Sequence, residues 1–139
     1  SENMLALSRE KCSRFGLQFD VKREDAEQLS FPDRHFDYVT SVRLFGHLPF
    51  DIKVKILREL LRVSRNGVFV SLYMENFLHR MKRKLKKILK PNKAPWFPLT
   101  TTECKKLIDH CNGVIISKKH VFPVFSEGVT YYIKNRNLS

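Results

Sequence analysis

An amphipathic helix pattern between two strand patterns constrains the fold of this chain more than any other feature. Residues 36–42 are rich in β-branched and aromatic side chains, which favours a strand. The apolar positions of residues 52–61 recur at threes and fours and make one helix face. Residues 68–73 form a nearly continuous apolar run, typical of a strand covered on both faces. The order predicts an α/β layered fold.

Further patterns lie on both sides of this unit. Asp51 is expected to cap the central helix, and Asn66-Gly67 is expected to end it. Thr100 and Glu103 are spaced as a capping box, with Leu99 and Cys104 placed as a hydrophobic staple. The remaining predicted elements are a helix over 2–12, a half-buried strand over 17–22, a helix over 101–111 closed by Gly113, and two closing strands over 114–117 and 129–133.

Residues 24–37, which read EDAEQLSFPDRHFD, carry the most specific motif. An acidic residue and Ala are followed by Leu, a Phe-Pro turn, and Phe-Asp leading into an apolar strand. This order resembles the signature of class I S-adenosylmethionine-dependent methyltransferases, in particular those that act on small molecules. Residues 1–6 are similar to the start of the helix after the family's second strand. Residues 57–70 are similar to its passage from helix to strand.

The resemblance implies a partial Rossmann-like methyltransferase fold. We expect a mostly parallel sheet with helices on both faces and an antiparallel last strand. Residues 17–22 would be the family's third strand and residues 36–42 its fourth, which the first and second strands separate in the complete fold. The strand at 36–42 is therefore expected to have an apolar, unpaired edge, which invites self-association or pairing with another chain.

The family's glycine-rich loop has no counterpart in this sequence. In the family, that loop follows the first strand and holds the methionine part of the cofactor, because a backbone that approaches a ligand closely needs residues without Cβ. The five glycines of this chain, at 16, 46, 67, 113 and 128, are too far apart to form it. We interpret residues 1–139 as the C-terminal two-thirds of one methyltransferase-like domain, with a basic helical insertion at about 75–93.

The resemblance also assigns residues to S-adenosylmethionine. Asp25 would accept the exocyclic amine of adenine, while the backbone amide beside it, at Ala26, would donate to a ring nitrogen. Ser41 and Val42 lie at the end of the predicted strand over 36–42, where the resemblance implies that the chain passes beneath the methionyl and sulfonium groups. Met4 is assigned to cofactor binding from the upstream helix. The alternative for Asp25 is that it caps the next turn.

His47, in the sequence Phe-Gly-His-Leu, corresponds to a histidine common in small-molecule methyltransferases. An imidazole would take a proton from the acceptor, although methyl transfer depends mainly on positioning and a general base is optional. The alternative is that His47 packs the loop. Asp37 is expected to be structural and Arg43 to be a ligand contact or a solvated charge. Trp96, Phe97 and Phe122 would line a substrate pocket or belong to the core.

The charge balance favours anionic partners, since 26 Lys and Arg against 14 Asp and Glu give a net charge of +12. Eight of the basic residues fall between Arg80 and Lys93, in a segment with apolar residues at helical spacing. Such a helix would bind an anionic membrane surface or RNA, or cover the domain as a lid. The alternative is an ordinary amphipathic helix with a solvated basic face.

The other composition features exclude several classes of protein. No apolar run approaches the roughly 18 residues of a membrane span, and the N-terminus lacks the layout of a signal peptide, so we expect a cytoplasmic protein. Cys104 and Cys111 are expected to be buried apolar residues. No Cys and His cluster has the spacing of metal ligands, so we predict no metal.

The sequence therefore predicts a methyltransferase that uses S-adenosylmethionine and a small-molecule or lipid-like acceptor. The first alternative is a catalytically inactive methyltransferase-like module that binds a partner, nucleic acid or an anionic membrane through residues 77–93. An RNA methyltransferase is a third interpretation, which the net charge favours but no base-stacking aromatic pattern supports.

Overall fold

The computed structural model describes residues 2–16, 20–75, 96–120 and 128–136. The expected basic helix, apart from Glu75, and Phe122 lie outside these residues. The elements in chain order are α1 (Glu2–Arg14), β1 (Phe36–Ser41), a short 3-10 turn (Phe45–His47), α2 (Phe50–Val63), β2 (Ser64–Tyr73), α3 (Thr101–His110), β3 (Gly113–His120) and β4 (Gly128–Asn135). No helix in the described segments is long and apolar enough to cross a membrane.

The four strands form one mixed sheet in the order β1, β2, β4, β3. Strands β1 and β2 are parallel, whereas β4 pairs antiparallel with both β2 and β3. The α/β class and the antiparallel last strand are confirmed. The expectation of a mostly parallel sheet is wrong for the described residues, because β4 inserts between β2 and β3 and makes both of their pairings antiparallel.

The edge of the sheet beside β1 is open within the described residues, since β1 pairs only with β2. Of the strand expected at 17–22, residues 17–19 lie outside the described residues, and residues 20–22 are not in a strand. A strand needs a neighbour to complete its hydrogen bonds. In the described part of the chain, the neighbours that the resemblance gives to residues 17–22 are absent.

One face of the sheet carries the core. Val68, Val70 and Leu72 alternate along β2 and are buried. Helices α2 and α3 contact each other, and they cover this face. On the opposite face Tyr38 and Phe69 are 54% and 37% exposed, so among the described residues β2 is covered on one face only and helices on both faces are not seen.

Helix α2 begins and ends differently from the prediction. Pro49 occupies the N-cap position and Asp51 lies in the first turn, where its charge favours the helix without capping it. The helix ends at Val63 and β2 starts at once with Ser64. Gly67 is needed inside β2, because its φ is 147° and a Cβ there would lie 2.7 Å from the carbonyl oxygen of Ile133.

Helix α3 confirms the predicted capping box. The Thr100 hydroxyl accepts from the Glu103 amide at 3.2 Å, and the Glu103 carboxylate accepts from the Thr100 amide at 2.8 Å. Leu99 and Cys104, the predicted staple, are both buried in the core. The helix is closed by Asn112, whose φ is 51°, rather than by Gly113, which packs against Ile108.

Candidate functional site

The carboxyl ends of β1 and β2 lie side by side, because the two strands are parallel and in register from Tyr38 to Ser41. Ligands of open α/β sheets bind at this end of the strands. The segment that follows β1 contains Ser41, Val42 and His47. After β2, the structure describes the chain as far as Glu75 and again from residue 96. Residues 96–99 lie beside the carboxyl end of β2, where Leu99 N donates to Tyr73 O at 2.8 Å.

The predicted adenine-binding turn is a compact loop closed by its own carboxylate. Asp25 is exposed, and its Oδ1 accepts a hydrogen bond from the amide of Glu27 at 2.9 Å. The amide of Gln28 donates to the carbonyl of Asp25 at 3.1 Å. Ala26 is half-buried and packs against the core. Asp25 therefore caps its turn, and its second carboxylate oxygen has no hydrogen-bond partner among the described residues.

The segment after this turn runs along α2, which fixes the end of the sheet at which Asp25 lies. Glu27 pairs with Lys55 at 3.3 Å near the start of α2, while Asp33 pairs with Arg62 at 2.8 Å near its end. Helix α2 starts beyond the carboxyl end of β1 and returns to the amino end of β2. Asp25 precedes Glu27 and so lies toward the carboxyl ends of the strands, the end that holds Ser41.

Arg62 and Glu59 hold that segment in place. The Glu59 carboxylate accepts from the Leu29 amide at 2.9 Å, and Arg62 donates to the carbonyls of Phe31 and Leu29 at 2.9 and 3.1 Å. The Arg62 guanidinium also bonds both oxygens of Glu59, which lowers the pKa of that carboxyl and raises the pKa of Arg62. The sequence motif over residues 57–70 includes Glu59 and Arg62, but it did not predict that they hold residues 29–33 against α2.

Ser41 is the most unusual polar residue at this end of the sheet. It is 6% exposed, and its hydroxyl oxygen is buried with no hydrogen-bond partner in the described part of the chain. A buried hydroxyl without a partner is destabilising by itself, so it points to a ligand atom or water as its partner. Val42, next in the chain, is 62% exposed, and Arg43 has a left-handed backbone with φ of 61°.

Trp96 forms an aromatic wall together with His47 and Tyr73. Its ring lies edge-on to His47, with centroids 4.8 Å apart, and edge-on to Tyr73 at 4.6 Å. It also lies against the backbone of Gly46, where a Cβ would come within 2.3 Å of the indole. His47 itself is exposed, and its contact with Trp96 fits the loop-packing alternative. No local sequence pattern predicts that Trp96, 50 positions further along the chain, packs against Gly46.

Lys53 fastens the segment that carries Trp96. The side chain is 1% exposed, and its ammonium donates to the carbonyl of Phe97. Burial lowers the pKa of Lys53, and the nearby Glu103 carboxylate opposes that shift. Sequence reasoning missed this residue. The available signal was its position on the same helix face as Leu57 and Leu60, one and two turns further on.

The remaining predictions concern Met4, the cysteines and metal binding. Met4 belongs to α1, which joins the rest through a hydrogen bond from Arg9 to the carbonyl of Val21 at 3.1 Å. Cys104 and Cys111 are free and buried, as expected. Burial raises the pKa of the Cys111 thiol to about 11. The described residues contain no group of three or more His, Cys, Asp or Glu side chains that would hold a metal ion.

Comparison with known proteins agrees with the geometry. Residues 1–67 match the family model described as a methyltransferase domain. This chain is methyltransferase-like. The match includes the turn at Asp25, the segment from Ser41 to His47 and the whole of α2, so the resemblance to the class I family is confirmed.

Two curated relatives each match about half of the methyltransferase-like chain. One is the phosphatidylethanolamine N-methyltransferase of Cereibacter sphaeroides, 38% identical over 69 residues, which are 48% of this chain and 33% of the relative. The other is the ubiquinone/menaquinone biosynthesis C-methyltransferase of Pseudomonas fluorescens, 39% identical over 69 residues, 48% of this chain and 26% of the relative. The match thus spans about a third of each relative's length or less.

Solved structures share the fold over nearly the whole length of this chain. The PH0226 protein of Pyrococcus horikoshii aligns with a TM-score of 0.75 at 18% identity and covers 97% of this chain and 68% of its own. The magnesium protoporphyrin IX methyltransferase of Synechocystis, solved with bound SAH, aligns with a TM-score of 0.73 at 15% identity over 96% of this chain and 59% of its own. These likenesses show the Rossmann-like methyltransferase fold of the chain.

Proposed function

We propose that the chain is part of an S-adenosylmethionine-dependent methyltransferase. The observation that carries the proposal is the buried hydroxyl of Ser41 without a partner, at the carboxyl end of β1. The methyltransferase match includes this residue and the Asp25 turn that lies toward the same end. Two separate chain segments thus present polar groups where an α/β sheet binds its ligand.

The residues at this end fit part of the cofactor. The free carboxylate oxygen of Asp25 and the backbone beside Ala26 suit an adenine edge, and the Ser41 hydroxyl suits a polar atom of the methionyl portion. Val42 and Met4 are kept as cofactor contacts on the resemblance alone. When bound, S-adenosylmethionine supplies a sulfonium methyl group, while the chain's contribution is to orient the two reactants and exclude water.

We propose that the methyl acceptor is a small-molecule or lipid-like compound. We also propose that the protein is cytoplasmic. The names of the two relatives support this class, since they refer to phosphatidylethanolamine and to ubiquinone/menaquinone biosynthesis. The aromatic wall formed by Trp96, Tyr73 and His47 offers an apolar surface next to Ser41's end of the sheet. His47 would assist by taking a proton, although its packing on Trp96 is sufficient reason for its presence.

The exposed sheet face supports the interpretation of residues 1–139 as an incomplete domain. Tyr38, Phe69 and Tyr132 come from three strands and form one aromatic cluster, with Phe69 and Tyr132 stacked at 4.7 Å. The open edge of β1 adjoins it. We infer that the rest of a methyltransferase domain covers this face. The solved relative from Pyrococcus horikoshii has 32% of its length outside the alignment (100% less 68%), enough for such a layer.

Titration calorimetry with S-adenosylhomocysteine tests the proposed function. The protein should be assayed both as residues 1–139 and with any residues encoded upstream of Ser1. We expect binding in the micromolar range in at least one form, weakened by Ser41→Ala and by Asp25→Asn. Ser71→Ala is the matched control, because Ser71 lies in β2 but faces Thr130 at 3.4 Å. No binding in either form would support a binding module without catalysis.

Two further measurements test the acceptor and the covered face. Transfer of a labelled methyl group should appear in the small-molecule and lipid fractions of a cell extract, and label in RNA or protein alone would contradict the acceptor class. Light scattering on residues 1–139 should show self-association that Phe69→Lys reduces, because the aromatic face then carries a charge. A stable monomer that binds no hydrophobic dye would contradict the incomplete sheet.

A further inference from the structure

A hollow at the opposite end of the sheet has the chemistry of an anion-binding pocket. It lies at the amino ends of β1 and β2, where α2 and α3 end, and has a volume of about 480 Å³. We call it the basic hollow. Its polar lining is formed mainly by Asp33, Arg34, Arg58, Arg62, His110 and Asn112.

The charges in the basic hollow do not balance. Arg62 is paired with two carboxylates, Asp33 and Glu59, each at 2.8 Å, so these three side chains together carry one net negative charge. Neither Arg34 nor Arg58 forms an ion pair with any carboxylate in the described part of the chain. Arg34 and Arg58 line the hollow and add two positive charges to that one negative charge, so the hollow has a net positive charge that favours an anion.

Arg58 is held in a fixed orientation. Its Nε and Nη2 both donate to the carbonyl of His110, at 3.2 and 2.8 Å, so its remaining N–H groups are presented by a planar fork that packing has already positioned. The ring nitrogen Nδ1 of His110 lies 2.8 Å from the carbonyl of Lys106. Because a carbonyl only accepts, Nδ1 carries the proton and Nε2 is left for other partners.

Two helices end at the basic hollow, and their carbonyl ends would by themselves repel an anion. These carbonyls already have donors. Arg34 N donates to the carbonyl of Arg62 at 2.8 Å, and Asn112 N donates into the last turn of α3 at 3.1 Å. Together with the two bonds from Arg58 to His110, they satisfy helix-end groups that would otherwise oppose a negative ligand. The unpaired guanidiniums then determine the preference of the hollow.

We propose that the basic hollow binds a small molecule through a phosphate group. A guanidinium fork matches two phosphate oxygens in its geometry as well as in its charge. The volume falls among small-molecule pockets, which measure roughly 300–1,000 Å³. The site is separate from the proposed cofactor site, because it adjoins the opposite ends of the parallel strands. It does not depend on the methyltransferase activity.

Calorimetry with inorganic phosphate and pyrophosphate, at constant ionic strength, tests this site. Arg34→Asn is the informative variant: it removes the guanidinium, and Asn tolerates the left-handed backbone that Arg34 adopts at φ of 56°. Arg43→Asn is the matched control, since Arg43 is also exposed and left-handed, with φ of 61°, but follows the other end of β1. We expect pyrophosphate binding about tenfold weaker in Arg34→Asn and unchanged in Arg43→Asn.

Three results would overturn the site. The first is equal pyrophosphate binding by the wild-type protein and Arg34→Asn, provided that Arg58→Gln also binds equally. The second is an effect of pyrophosphate that sodium chloride or acetate reproduces at the same ionic strength. The third is binding of an RNA oligonucleotide that pyrophosphate does not displace, which would assign the arginines to a nucleic-acid surface.

Discussion

The Lys53 side chain, which is only 1% exposed, donates a hydrogen bond to the backbone carbonyl of Phe97. This bond joins α2 to the segment that carries Trp96. A second tie runs from Phe97 N to the carbonyl of Gly46 at 2.8 Å. The two bonds place the indole ring against the loop that follows β1. A charged group buried in the core thus determines the shape of the candidate site's aromatic wall.

Replacing Lys53 should loosen Trp96. In Lys53→Met, the Phe97 carbonyl loses its donor, which costs about 1–3 kcal/mol for a buried acceptor, while removal of the buried charge offsets part of that loss. Trp96 is the only tryptophan, so its fluorescence reports this segment alone. We expect a shift to longer emission wavelength and faster quenching by iodide. Lys55→Met, on the exposed side of the same helix, is the control and should leave the emission unchanged.

The same substitution should change how stability depends on pH. Burial lowers the pKa of Lys53 in the folded protein below its ordinary 10.5. Between the lowered pKa and 10.5, the unfolded chain holds a proton that the folded protein has released, so this group makes stability rise with pH. The difference in unfolding free energy between wild type and Lys53→Met should therefore grow from neutral pH toward pH 10.5. A constant difference would contradict a depressed pKa.

The elements of the fold could largely be predicted because they depend on local patterns. The apolar period of α2, the capping box at Thr100 and the strand composition of β1 all lie within single segments. What failed depends on contacts between segments. Gly67 was expected to end a helix, but it is required where β2 approaches Ile133, a neighbour that is 66 positions away.

Gly46 provides a second test of the aromatic wall. An added Cβ would lie 2.3 Å from the Trp96 ring, and the backbone of Gly46 is not left-handed, so alanine would fit the chain but not the ring. Gly46→Ala should displace the indole and shift its emission, with a stability loss of about 1–3 kcal/mol. Gly16→Ala is the control for the emission spectrum alone: no atom lies within 4 Å of its added Cβ, but its φ of 65° makes alanine cost stability there as well. Identical spectra for Gly46→Ala and wild type would show that Trp96 does not rest on Gly46.

The candidate site shows a similar division between local and distant information. The resemblance predicted Asp25 and Ser41 from contiguous motifs, and their roles stay predictions. The buried Lys53 and the contact between Trp96 and Gly46 were missed, because each joins segments about 50 residues apart. The period of α2 places Lys53 on the same face as Leu57 and Leu60, but periodicity alone does not predict that the carbonyl of Phe97 accepts a hydrogen bond there.

Arg62 should be one of the most sensitive polar residues. It bonds Glu59, Asp33 and the carbonyls of Phe31 and Leu29, so Arg62→Gln removes several ties between α2 and the segment after the Asp25 turn. We expect a loss of about 2–4 kcal/mol in urea unfolding. Arg62→Lys should rescue little of it, since one ammonium cannot replace a planar fork. Arg65→Gln is the control and should cost less than about 1 kcal/mol, because its pair with Asp37 is exposed.

Acid should weaken the wild-type protein through the same residues. Hydrogen bonds from Arg62 lower the pKa of Glu59 below its ordinary 4.5, so the folded state holds the carboxylate ionised where the unfolded chain would protonate it. The resulting stability is complete above pH 4.5 and is lost as the pH falls through the lowered pKa. Arg62→Gln should lose less stability than wild type over that range. Parallel acid curves would show that Glu59 is not held by Arg62.

Ser41→Ala separates a structural from a ligand-binding role for the buried hydroxyl. Because the Ser41 oxygen has no partner in the described residues, its removal should leave the ligand-free protein as stable as before or raise the unfolding free energy by about 1 kcal/mol. If Ser41 meets the cofactor, the same change should weaken S-adenosylhomocysteine binding about tenfold. Ser71→Ala should do neither, beyond the loss of one weak contact to Thr130. A clear loss of stability in Ser41→Ala would mean that the hydroxyl is already satisfied without a ligand, and it would remove the main support for the cofactor site.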